Sequence, residues 1–159
     1  MDIAFSNPGK TGFDFATDGS DLIVSDGLVT MFIHALFRDG RAPQDSIPAG
    51  TDPRGHWASA LSAKAPDGSL LWRLSREKIT PDMPHRVRET LEDACAFMID
   101  ETEGPAADVI GVEAIARKAE HRGRIEAQLN VYLSRRAIPR RFALVYDTAN
   151  HRYEFEEIA

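Results

Sequence analysis

Between Met83 and Met98 the apolar side chains recur at steps of three and four: Met83, Val87, Leu91, Ala94, Cys95 and Met98. That period is one stripe of an α-helix, with Arg86, Arg88, Glu89, Glu92 and Asp93 turned away from it. Thr80-Pro81-Asp82 supplies the entry signal, with Pro81 near the first helical position. A second stripe, Leu28, Phe32, Ala35 and Leu36, is flanked by Val29, Ile33 and Phe37. So wide an apolar arc predicts a helix over residues 27–37 buried on more than one side, with Ser25 or Asp26 as its cap.

Elsewhere the period drops to two. In residues 124–133, Ile125, Ala127, Leu129, Val131 and Leu133 alternate with Arg124, Glu126, Gln128, Asn130 and Tyr132, the clearest strand of the chain. Residues 109–116 read as another strand, with Ile110, Val112 and Ala114 on one face, although 113–120 also fits a helical turn. Phe142 to Tyr146, a turn at 147–150 and Tyr153 to Glu156 form a hairpin signature with aromatics on its second arm. A terminal strand of this kind lies at a sheet edge, open to a strand from another chain. Short apolar pieces at 2–5, 13–15 and 21–24, with turn chemistry at Asp18-Gly19-Ser20, predict a small N-terminal hairpin.

The expected fold is α+β: a small, mostly antiparallel sheet with two main helices packed on one side. One domain spans 1–159, with an N-terminal hairpin at 1–25, a long Gly-, Pro- and Asp-rich loop at 38–66 and a C-terminal hairpin at 140–159. A loop that long in a compact domain is uncommon and is usually functional or mobile. Trp57 within it is expected to pin the loop to the domain or to meet a partner protein.

Composition narrows the function more than it names it. The 159 residues are 43% hydrophobic and 28% charged, enough for one globular core. A formal charge of −6 disfavours a sequence-independent nucleic-acid binder, which needs a basic surface. The dense basic cluster is Arg135, Arg136, Arg140 and Arg141, either a solvated turn or a docking site for an acidic partner. With one cysteine no intrachain disulfide exists, and Cys95, lying on the apolar stripe, is expected to be a buried hydrophobe. No apolar run reaches a membrane span and no signal peptide opens the chain, so a soluble cytoplasmic protein is expected.

Motifs for chemistry are missing. The sequence contains no G-x-S-x-G elbow, phosphate loop, H-E-x-x-H or CxxC, and its histidines at 34, 56, 85, 121 and 151 are scattered singly. The aspartates at 14, 18, 21 and 26 lack the spacing of a calcium loop and read as turn residues. Neither a cofactor nor a metal is expected. Two carboxylates could still meet in space, but no spacing selects a pair.

The order of segments carries a resemblance. Met1-Asp2-Ile3, Asp21-Leu22, Asp26-Gly27-Leu28, Leu36-Phe37-Arg38-Asp39, Asp52-Pro53-Arg54-Gly55-His56-Trp57 and Leu71-Trp72-Arg73-Leu74-Ser75-Arg76-Glu77-Lys78 together resemble the Mu-like phage baseplate proteins, over roughly residues 1 to 146. These are similar in turn to the sheath initiators of contractile tails. The resemblance implies a structural, non-enzymatic subunit, in six copies around the tail tube, that joins baseplate wedge proteins to the tail sheath. It would be made in the host cytoplasm and end in the virion tail. Broader sheath initiators carry Glu-Pro-Arg after the long helix, where this chain has Glu101-Thr102-Glu103-Gly104-Pro105, so that wedge contact is assigned to no residue here. The expected partner-binding residues are Trp57, Trp72, Arg76, Glu77, Lys78, Tyr146, Tyr153 and Phe155. The alternatives are a small tail hydrolase using a carboxylate pair and a host-derived binding module.

Overall fold

All six residues of the central stripe are buried in the computed structural model, which describes residues 2–6, 13–25, 27–55, 68–75, 77–120, 123–147 and 152–158. Helix α3 (Met83–Cys95) carries five of them, and a 3₁₀ turn at Ala96–Ile99 continues the stripe to Met98. Pro81 precedes the helix. Asp82 takes the N-cap position and Pro84 occupies the first turn, where a missing N–H goes unnoticed. Preceding these elements, helix α1 (Leu28–Phe37) buries Leu28, Thr30, Phe32, Ile33, Ala35 and Leu36, so its wide apolar arc is used as expected. Its cap differs from expectation. Gly27, at a φ of 82°, holds the N-cap position, and its N–H donates to Ser25 Oγ, while Asp26 lies outside the described residues.

The main sheet is a four-stranded antiparallel meander: β5 (Val109–Lys118), β6 (Arg124–Leu133), β7 (Arg140–Asp147) and β8 (Arg152–Ile158), in that spatial order. Alternation turns Ile125, Ala127, Leu129, Val131, Phe142, Leu144 and Tyr146 inward. Against this face lie α3, over β5 and β6, and α1, whose Phe32 meets Phe142 at 5.1 Å. Phe142 in turn stacks on Phe155 of β8, with planes 4° apart. The architecture is thus α+β, with both helices on one side of the sheet.

One face assignment fails on β5. Ile110 is 62% exposed, whereas Val109, Ala114 and, in part, Val112 point inward. The register shifts between Val109 and Gly111, and a bulge reverses the phase of everything before it. The helical alternative for 113–120 is also excluded, since β5 pairs with β6 as far as Lys118.

The N-terminal residues form a three-way junction instead of a plain hairpin. Strand β1 (Asp2–Ile3) pairs with β4 (Val24–Ser25), and β2 (Phe5–Ser6) with β3 (Asp14–Phe15). Between them Ala4 N–H donates to Ile23 O, Ile23 N–H to Ala16 O and Ala16 N–H to Ala4 O. The turn is closed by the Asp18 carboxylate, which accepts the N–H groups of Ser20 and Asp21; those two bonds hold its pKa below the usual range.

Candidate interaction surfaces

The segment from Gly68 to Lys78 is where three parts of the chain meet. Residues 38–40 run beside 68–69: Gly40 N–H donates to Ser69 O at 2.8 Å and Ser69 N–H to Arg38 O at 2.9 Å. Gly68 is required there, because a Cβ would lie 2.3 Å from the Arg38 carbonyl oxygen and its φ is 94°. Buried Ser69 donates its hydroxyl to Leu36 O and accepts Leu71 N–H, which sets the start of the short helix α2 (Leu71–Leu74).

From α2 the side chains reach both ways. Trp72 Nε1 donates to Gly40 O at 2.9 Å, and the Arg54 guanidinium lies 4.7 Å from the centre of its ring while also pairing with Asp39 at 2.5 Å. Arg73 donates to the hydroxyl and carbonyl of Ser46. Loop residues 38–55 are thereby tied to α2. On the other side, Tyr146 donates its hydroxyl to Ser75 O at 2.7 Å and Tyr153 to Leu71 O at 3.1 Å, their rings stacked 4.6 Å apart. Burial, first of all, raises the pKa of both phenols.

Most of the expected partner-binding residues therefore have internal roles. Tyr146 is only 4% exposed, Tyr153 and Phe155 pack on the core, and Phe155 meets Phe37 edge-on at 5.6 Å. Trp72 is half-buried against the loop. Glu77 makes a two-pronged pair with Arg86 at 2.5 and 2.9 Å, and this hydrogen bonding holds its carboxyl below the usual range. Lys78 is exposed. Trp57 and Arg76 lie outside the described residues.

The two edges of the main sheet are treated differently. On β5, Glu92 of α3 accepts the N–H of Ala114 at 3.0 Å, with its second oxygen held by Arg88. Sequence periodicity put Glu92 on the solvent side of α3 and gave no hint of this bond. On β8, no further strand pairs with the outer edge among the described residues, and Glu154, Glu156 and Glu157 line that strand.

Among the described residues, two hollows have room for a small molecule. A cleft of about 290 Å³ beside α1, near Thr30, His34 and Arg38, has Asp2 as its carboxylate. A trough of about 300 Å³ on the outer sheet face, between Ile115, Gln128 and Val145, has Glu126, which pairs with Arg117 at 2.9 Å. Among the described residues neither brings together two carboxylates of the kind the hydrolase alternative would need. Among the described residues no three His, Cys, Asp or Glu side chains converge, and no helix is long and apolar enough to cross a membrane.

Comparison with known proteins adds a family. The model of the family described as phage protein GP46 matches residues 28–137. The baseplate protein gp46 of Escherichia phage Mu is 42% identical over 86 residues, 54% of this chain and 59% of the phage Mu protein. The match thus spans less than two thirds of that relative. No solved structure matches.

Proposed function

The chain belongs to the phage protein GP46 family, and from that premise we propose that it is a structural subunit of a contractile phage or prophage tail baseplate. The observation that carries this reading is the 42% identity to a protein that itself bears the name of a baseplate component. In the finer form of the proposal, six copies link wedge proteins to the first sheath ring through protein contacts alone. The unequal sheet edges support it. Glu92 blocks part of the β5 edge, whereas β8 ends the sheet with backbone groups that a sheath strand can extend. Trp72, Tyr146, Tyr153 and Phe155 then act by holding that edge and the loop rigid. The loop around Trp57, together with Arg76, Glu77 and Lys78, is proposed to face wedge proteins.

Proline scanning of β8 tests the docking edge. Along an edge strand, successive N–H groups point alternately to the neighbour and to the open side. Of Glu156→Pro and Glu157→Pro, the variant that keeps the wild-type melting temperature identifies the open side. That variant is expected to stop sheath from assembling on baseplates while still recovering wedge proteins in a pull-down. Normal sheath assembly with a proline at either position would overturn the β8 placement. Recovery of neither wedge nor sheath proteins by the wild-type chain would overturn the baseplate reading.

A further inference from the structure

Two surface patches used by neither the core nor the β8 edge carry exposed apolar side chains with rims of opposite charge. The first is the outer part of the small N-terminal sheet. The pairings Ile3 with Val24, Phe5 with Phe15 and Thr17 with Leu22 put these side chains on one face. The inner part of that face turns towards α1, where Phe5 meets His34 edge-on at 6.0 Å. The outer part is left open: Phe15 and Val24 are each 53% exposed and Leu22 42%. At its turn end stand Asp18 and Asp21, both exposed, and residues 13–25 contain no Lys or Arg.

The second patch is the turn between β6 and β7. Ile138 at its tip is 70% exposed, the highest value among the exposed large hydrophobic residues described. Residues 134–141 contain four arginines and no Asp or Glu. Two of the four have partners within the chain, Arg135 with Asp108 at 3.2 Å and Arg140 with Glu157 at 2.7 Å. Arg136 and Arg141 are exposed and make no ion pair among the described residues. The turn is thus an apolar knob inside a basic rim, and the N-terminal face an apolar seat with an acidic end.

We propose that the two patches bind each other between copies of this chain, with Ile138 of one copy seated on Phe15, Leu22 and Val24 of the next. Arg136 and Arg141 then meet the aspartates of the seat. Because the two surfaces differ, the contact is head-to-tail: it repeats, closing into a ring if the rotation between copies allows and running on as a chain if it does not. Each contact is small, so association is weak and salt-sensitive. Screening at high salt removes the attraction between the rims that offsets the net charge of −6 on every copy.

Sedimentation velocity of the purified full chain over a concentration series tests this without any tail protein, so the result stands apart from the baseplate reading. At low salt the mean mass is expected to rise with concentration, and the rise to be lost at about 0.5 M salt, where the Debye length falls to roughly 4 Å. Ile138→Asp should weaken association about tenfold or more. Asp21→Arg and Arg136→Glu should each do the same when alone, since like charges then face across the contact. Mixing those two variants should restore association, because the arginine introduced in one faces the glutamate introduced in the other and the remaining contact is wild-type. Unchanged melting temperatures show that the variants fold. A wild-type chain that stays monomeric throughout, or a mixture that associates no better than its components, would overturn the proposal.

Discussion

Glu92 accepts the backbone N–H of Ala114 at 3.0 Å, so a helix side chain caps an edge of the sheet that the same helix covers. The N–H would otherwise face water or another chain's strand. Arg88, one turn earlier on α3, holds the other carboxylate oxygen at 3.0 Å and fixes the rotamer. Replacing Glu92 with Ala removes the acceptor. We expect a loss of about 1–2 kcal/mol in urea unfolding and a higher tendency to aggregate through β5. Glu92→Gln keeps an acceptor and should lose less than half as much. Equal losses in the two variants would mean that the bond to Ala114 contributes nothing.

Why that bond was invisible in the sequence is instructive. Periodicity separates residues that enter a core from those that do not, and Glu92 does not enter it. Whether a polar side chain ends in water or on a neighbouring strand depends on tertiary placement. The same holds for Arg54, whose position over Trp72 joins residues far apart in the chain, and for Tyr146 and Tyr153, whose apolar rings fit the pattern but whose hydroxyls find Ser75 O and Leu71 O. By contrast, β6, β7, α1 and the α3 stripe were legible, because each is decided by its own burial pattern. Ile110 was assigned to the wrong face because a bulge shifts phase without leaving a signature in hydrophobicity.

Tyr153 should make the fold sensitive to alkali. Burial first, and then the neighbouring Tyr146 and Asp39, push its pKa above the ordinary value of 10. A raised folded-state pKa means that the contribution is complete below pH 10 and is lost as pH climbs towards the folded value. Tyr153→Phe removes this titration together with the bond to Leu71 O, at a cost of about 1 kcal/mol at neutral pH. The gap between wild type and Tyr153→Phe, followed by thermal melts from pH 8 to about pH 11, should therefore narrow at the alkaline end. A gap that widened with pH would contradict the sign.

For Glu77 the window lies in acid. Hydrogen bonding by Arg86 lowers its pKa below the ordinary 4.5. The stabilisation is present above that value and fades as pH falls through the folded-state pKa. Both partners are more than a third exposed, so solvent screens the pair and its worth is at most about 1 kcal/mol. Glu77→Gln should be slightly less stable than wild type at pH 7 and indistinguishable from it at about pH 2, a comparison urea titrations can make. The two curves should also converge at about 1 M salt if the pair acts through charge.

Cys95 offers a clock for opening of the core. It is fully buried on the α3 stripe, and burial pushes its thiol up to about 12. Reaction with a thiol reagent needs a solvent-accessible thiolate, so the native state is doubly protected: the sulfur is covered, and at neutral pH almost none of it is ionised. Since this is the one cysteine of the chain, labelling reads a single site. The expected labelling rate in native buffer is therefore the intrinsic thiol rate multiplied by the population of the opened state. Core opening that needs global unfolding makes this population as small as roughly 10⁻³ to 10⁻⁶. Labelling should accelerate with urea in step with the equilibrium unfolding curve. In Leu91→Ala, where a cavity destabilises the same core by about 2–5 kcal/mol, it should rise by the matching factor. Native-state labelling near the rate of a free thiol would mean that α3 leaves the sheet by itself, and that its stripe does not belong to the same cooperative unit as β5 and β6.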